Sequence, residues 1–170
     1  IMEGDVILGV AKKRFSYDPR TEFGKAITQA EASDGVLHLT RWREGNIKEV
    51  SVELPALGPY SQTAPFKCKK SSHIVRQGCR TIAKKLEENP DQGNPIERSL
   101  NALALLASGD KTYWPLVRYQ ASWASQFSDP ERRSLHSWHY GPINMLLAEY
   151  TMVTGDTQFL PDLTRITMEI

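Results

Sequence analysis

The densest group of side chains with chemical potential is the run Ser134 to Gly141, read Ser-Leu-His-Ser-Trp-His-Tyr-Gly. His136 and His139 are three apart and share a face if the run is helical, with Trp138 and Tyr140 beside them. Rings of this kind can stack on a ligand and hydrogen-bond to it. A second reading stands beside that one. Trp138 and Tyr140 are then packing, and the histidines are solvated or hydrogen-bonded near a helix start. A metal site needs a further ligand at suitable spacing, and no Cys, Asp or Glu stands out to supply it. Glu97 and Glu149 raise the paired carboxylates that glycoside cleavage requires. Their positions are not equivalent in the repeat described below, so a solvated helix face or an ion pair is the competing reading. Asp110 and Asp156 each follow a glycine, which marks them as turn caps.

Lys67, Lys69, Lys70, Arg76, Arg80, Lys84 and Lys85 form a basic stretch with no acid before Glu87. No aromatic residues interleave to stack bases, and the pattern predicts a solvated helix flank and no nucleic-acid partner. Cys68 and Cys79 are 11 apart, which fits no zinc or redox spacing. They are either two buried free thiols or a disulfide, which needs Cα atoms within about 7 Å. No phosphate loop, nucleophile elbow or thiol–His motif is present. Net charge is +1, so no global field favours nucleic acid or a membrane. No apolar run approaches the roughly 18 residues of a membrane span. With 40% hydrophobic and 24% charged residues, the chain can bury a core.

The elements that must position these residues change character along the chain. Val6 to Val10 reads as a strand. Asp18-Pro19 starts a helix, whose apolar face is Phe23, Ile27 and Ala30. Asp34-Gly35 stops it. Val36, Leu37, Leu39 and Trp42 make a strand, Glu44-Gly45-Asn46 a turn, and Val50, Val52 and Leu54 the returning strand. Pro55, Gly58, Pro59 and Pro65 mark a linker. Beyond it every pattern is helical. Ile74 or Val75, Cys79, Ile82 and Leu86 form a first face, and Ile96, Leu100, Leu103 and Ala107 a second. Leu116, Trp123 and Phe127 form a third, and Leu146, Tyr150 and Val153 a fourth. Gly109 and Gly155 end the second and fourth helices.

The helical part repeats. Gly109-Asp110 recurs as Gly155-Asp156, an offset of 46 residues. At that offset Tyr113 meets Phe159, Pro115 meets Pro161, Val117 meets Leu163, Leu100 meets Leu146, and Ala102 meets Ala148. The period suits a helical hairpin. Gly ends one helix, Asp caps the turn, the aromatic plugs the corner, and Pro starts the next helix.

Two resemblances follow from these residues. Gly4 to Val10, the helix from Pro19 to Ala32, and the hairpin from Val36 to Leu54 resemble the PDZ modules of bacterial periplasmic proteases. Ala11-Lys12 replaces the Asn-Gly of that pattern. The resemblance implies a polypeptide partner, with Arg20, Phe23 and Ile27 as peptide-groove candidates by position. The family's carboxylate-binding loop and augmenting strand have no counterpart here, so C-terminal peptides are not expected to bind in the usual way. Leu147 to Tyr150, followed by Thr154 to Asp156, resembles α/α-toroid helical repeats of glycan-processing and terpene-cyclase-like proteins. That implies a central cavity, with His136, Trp138, His139, Tyr140 and Glu149 as lining candidates for a glycan or lipid-like ligand. The combination resembles a bacterial family, itself uncharacterised, that joins a PDZ module to such helices in exported proteins.

The expected fold class is α+β: a partial PDZ-like module over residues 1–55, a linker over 56–70, and incomplete helical hairpin repeats over 71–170. The chain reads as an internal fragment. The expected role is a protein-interaction scaffold in a periplasmic or secreted protein, with no cofactor or metal. The alternative is a glycan- or terpenoid-processing enzyme with its site in a completed toroid.

Overall fold

A computed structural model describes residues 1–129 and 136–169; of His136 it describes the backbone alone. The architecture is mixed α+β, with a small antiparallel sheet and six helices among the described residues. The chain divides into two compact units, Ile1–Ile74 and Val75–Ile170.

The first unit holds β1 (Val6–Val10), β2 (Lys13–Arg14), α1 (Pro19–Ala32), β3 (Val36–Arg43) and β4 (Asn46–Glu53). The sheet order is β2-β1-β3-β4, antiparallel throughout. Asp18 caps α1 by accepting the Arg20 N–H, and Pro19 takes the first helical position, where no N–H is needed. Phe23, Ile27 and Ala30 then pack on Leu37 and Leu39. One end of the β1–β3 pair is tied by Asp5, which lies just before β1 and faces the end of β3. Its carboxylate accepts from Arg43 Nε at 2.5 Å and Nη2 at 2.7 Å, and from the Met2 N–H at 2.8 Å.

The proline-containing stretch expected as a linker is bonded to this unit. The Leu54 N–H donates to Gly35 O at 2.7 Å, and the Gly58 N–H to Glu31 O at 2.9 Å. Lys70, only 1% exposed, puts Nζ 2.5 Å from Glu31 Oε2 and 4.5 Å above the Tyr60 ring. It is therefore no part of a solvated basic flank, although Lys67, Lys69, Arg76, Arg80, Lys84 and Lys85 are exposed.

Helix α2 (Lys69–Glu88) leads to α3 (Pro95–Ala107), a short 3-10 turn (Lys111–Tyr113), α4 (Trp114–Ser125), α5 (His136–Thr154) and α6 (Leu160–Thr167). The repeat is visible in the backbone. Gly109 has φ +74° and Gly155 φ +73°, the left-handed cap that glycine adopts without a Cβ penalty. Asp110 accepts the Thr112 N–H and Asp156 the Gln158 N–H. Pro115 and Pro161 each occupy the second position of their helix. Phe159 is buried and Tyr113 half-buried, both against the same core.

The pattern misjudged one face most and the ends of two others, where Ile74, Val75 and Val153 are exposed. In α3 the buried residues are Arg98, Ser99, Ala102, Leu105 and Leu106, while Leu100 is 52% exposed and Ala107 is also exposed. The physical reason is that α3 is apolar nearly all round from Ala102 to Ala107, so periodicity cannot choose which side is packed.

One buried cation sets that choice. Arg98 Nε donates to Gln120 Oε1 at 2.9 Å, and Nη2 donates to Asp91 Oδ1 at 3.1 Å. Its guanidinium lies 3.9 Å over the Trp123 ring. Gln120 Nε2 donates to Pro90 O at 2.7 Å. Arg98→Met removes the donor while leaving Gln120 buried, and is expected to cost about 3 kcal/mol. Amide exchange in α3 and α4 measures it, and unchanged protection there would refute the assignment.

A second expectation concerns acid. The Arg43 side-chain hydrogen bonds hold the Asp5 carboxyl well below the usual carboxylate range. A depressed carboxylate stabilises the fold above its unfolded pKa, and that contribution is lost as pH falls. The first unit should therefore weaken below about pH 4. Asp5→Asn should flatten this dependence, read from Trp42 fluorescence during acid titration.

Candidate functional site

The aromatic–histidine run is split by its helix. Residues 130–135, which include Ser134, lie outside the described residues, as does the side chain of His136. Tyr140 is 2% exposed and sits in the core, its ring 5.1 Å from Phe127 and its hydroxyl accepting the Asp129 N–H at 2.9 Å. His139 is half-buried, edge-on to Phe127 at 6.3 Å. Trp138 points the other way and is 69% exposed. Neighbouring positions on a helix diverge by about 100°, so one run cannot aim all of its rings at a single ligand.

Trp138 instead shares a face with residues further along α5. It lines a shallow recess of about 300 Å³ with Ser137, Gly141, Pro142 and Met145. Met145 also lines a second hollow of about 560 Å³, between α3 and α5, with Leu100, Leu103, Ala107, Glu149 and Val153. Glu149 is exposed and, among the described residues, is the only charged side chain on that hollow. Glu97 is elsewhere, paired with Lys85 Nζ at 2.5 Å near the start of α3. The two carboxylates do not converge. Asp110 and Asp156 act as turn caps, and Asp156 also accepts from the Tyr150 hydroxyl at 3.1 Å.

In the first unit, Phe23 and Arg20 line an apolar recess of about 250 Å³ with Ile7, Phe15 and Pro19. Ile27 is not on that recess; it packs against Ala30, Leu37 and Leu39. Arg20 is exposed, with Nε 3.1 Å from Asp18 Oδ1 at the rim. A larger, open depression of about 650 Å³ lies along α1, lined by Lys25, Thr28, Gln29, Pro59 and Tyr60.

Both cysteines are buried and free. Cys68 precedes α2 and Cys79 lies within it, so 11 residues of helical rise, about 16 Å, separate them, well beyond disulfide reach. Cys68 has a feature that spacing did not reveal. The Ser71 hydroxyl, with the Ser61 and Ser71 N–H groups, favours the thiolate and lowers its pKa to about 6. The Ser61 N–H lies 3.4 Å from the sulfur. The signal in the sequence was Cys-Lys-Lys-Ser at a helix start, where N–H groups are unpaired.

Among the described residues no group of three His, Cys, Asp or Glu is placed to hold a metal ion. Among them, too, no helix is long and apolar enough to cross a membrane.

A small antiparallel sheet with a helix packed on it, followed by five further helices among the described residues, makes this a mixed α+β protein. The pattern of a domain of unknown function (DUF6288) matches residues 71–170, more than half of the chain, and the chain belongs to that family. No curated protein and no solved structure matches it.

The Cys68 environment yields a measurable expectation. Absorbance at the thiolate band should rise with a midpoint near pH 6. Ser71→Ala should move that midpoint up toward the ordinary thiol range, since the hydroxyl is its largest cause. A midpoint unmoved by the substitution would show that the hydroxyl does not hold the sulfur.

Proposed function

We propose that this chain is a polypeptide-binding scaffold, a PDZ-like module joined to α/α-toroid-like helical hairpins, in a periplasmic or secreted bacterial protein. One observation carries the reading: the recess walled by Ile7, Phe15 and Phe23, apolar inside, with the cationic Arg20 at its rim. Apolar pockets with one placed charge anchor side chains of an extended peptide. The antiparallel sheet with α1 packed on one face supports the PDZ-like part. The repeated left-handed glycine caps and proline starts support the hairpin part. Membership of a family without an assigned activity is compatible with both.

A second reading, a glycan- or terpenoid-processing enzyme, has the exposed Trp138 in its favour, because an open indole is a stacking platform for a sugar ring. Against it, Glu149 is, among the described residues, the single carboxylate on the α3–α5 hollow, where glycoside cleavage uses two.

A peptide array screened with the intact chain should yield extended apolar peptides whose binding falls about tenfold with Phe23→Ala. An array without ligands, together with glycan binding that Trp138→Ala abolishes, would replace the scaffold reading by the second one.

A further inference from the structure

The helical unit leaves a long apolar strip uncovered. Along α5 it runs through Trp138, Met145, Glu149 and Val153, about 22 Å at helical rise. Met145 is 57% exposed and lines both hollows, so they adjoin along α5, and the larger of them forms a trough between α3 and α5. The opposite wall is the outward side of α3, with Leu100, Leu103 and Ala107. Helices packed side by side leave a groove of the width that a third helix fills, and small residues such as Ala104 and Ala107 permit close approach. Met145 adapts its shape to whatever lies against it.

The charge decides the occupant. Among the described residues the larger hollow is apolar except for Glu149, which has no ion-pair partner among them. A carboxylate set among aliphatic groups gains most from a lysine or arginine brought to it by a partner. A second copy of the groove brings no such cation among the described residues. Face-to-face pairing would put two Glu149 carboxylates into one apolar seam. We propose that the α3–α5 trough seats an amphipathic helix of another polypeptide, apolar on one face and carrying a lysine or arginine at its centre for Glu149. This deepens the scaffold reading, on which it rests for the class of partner, and gives the helical unit its own binding site.

The test uses the isotope-labelled 170-residue chain and a synthetic helical peptide of about 16 residues. The peptide carries leucine at the i, i+3, i+4 and i+7 positions and one central lysine. Its addition should shift the amide resonances of Leu100, Met145 and Val153. Glu149→Lys should weaken binding about tenfold, and a peptide with central glutamate should regain it on that variant. Leu100→Asp, at an exposed position, should abolish binding while leaving the spectrum folded. The inference is overturned if the peptide causes no shifts there, if Glu149→Lys leaves affinity unchanged, or if the chain dimerises through this face and Leu100→Asp disperses the dimer. Failure here with peptide binding retained at the Phe23 recess removes this inference alone. Failure at both sites removes the scaffold reading with it.

Discussion

A guanidinium buried beneath a helical core must be paired on every side, and Arg98 meets that demand with residues from two places in the chain. Asp91 comes from the loop before α3, and Gln120 and Trp123 come from α4, with Gln120 in turn donating to Pro90 O. Because a buried cation left unpaired costs several kcal/mol, the rotation of α3 about its axis is not free. Arg98 and Ser99 turn inward with Ala102, Leu105 and Leu106. The other apolar side of the same helix turns outward as a consequence. The exposed trough is thus the reverse of the packing that the arginine enforces.

The core around that arginine is built for close approach of helices. Ala102, Ala121 and Ala124 are fully buried beside Leu105, Val117, Ile143, Leu146 and Leu147. Small residues at facing positions allow large ones to interdigitate, which fixes α3 against α4 and α5. The rings that fill the far end, Phe127, Trp123 and Tyr140, meet edge-on. Tyr140 is drawn into that corner, which leaves Trp138 on the opposite side of α5.

The first unit solves a different problem, because its hydrophobic core is small. Ala30, Leu37 and Leu39 are its buried apolar centre, with half-buried neighbours around them. Polar ties supplement it. Asp5 joins the start of β1 to the end of β3 through Arg43, and the residues after β4 are held to α1 through Glu31, Gly58 and Lys70. A segment whose composition marks it as a linker is thereby part of the unit's structure.

Much of this was legible in the residues alone, wherever the cause is local. The hairpin unit of Gly, Asp, aromatic and Pro could be read at a 46-residue offset because each member acts within a few residues of itself: a left-handed cap, a capped turn, a filled corner, a helix start. The sheet pattern and the start of α1 were legible for the same reason. The candidate site was legible only in part. Trp138 and Glu149 do share one exposed face, but Tyr140 went to the core and Ile27 to the sheet, since burial is decided by the elements that arrive from elsewhere. Lys70 was hidden because its partner Glu31 lies 39 positions away. The face of α3 was hidden because its sequence is apolar on both sides. Local chemistry determined which elements form and where they stop. Only the tertiary structure, through the pairing of one buried arginine, decided which apolar surface became core and which remained exposed.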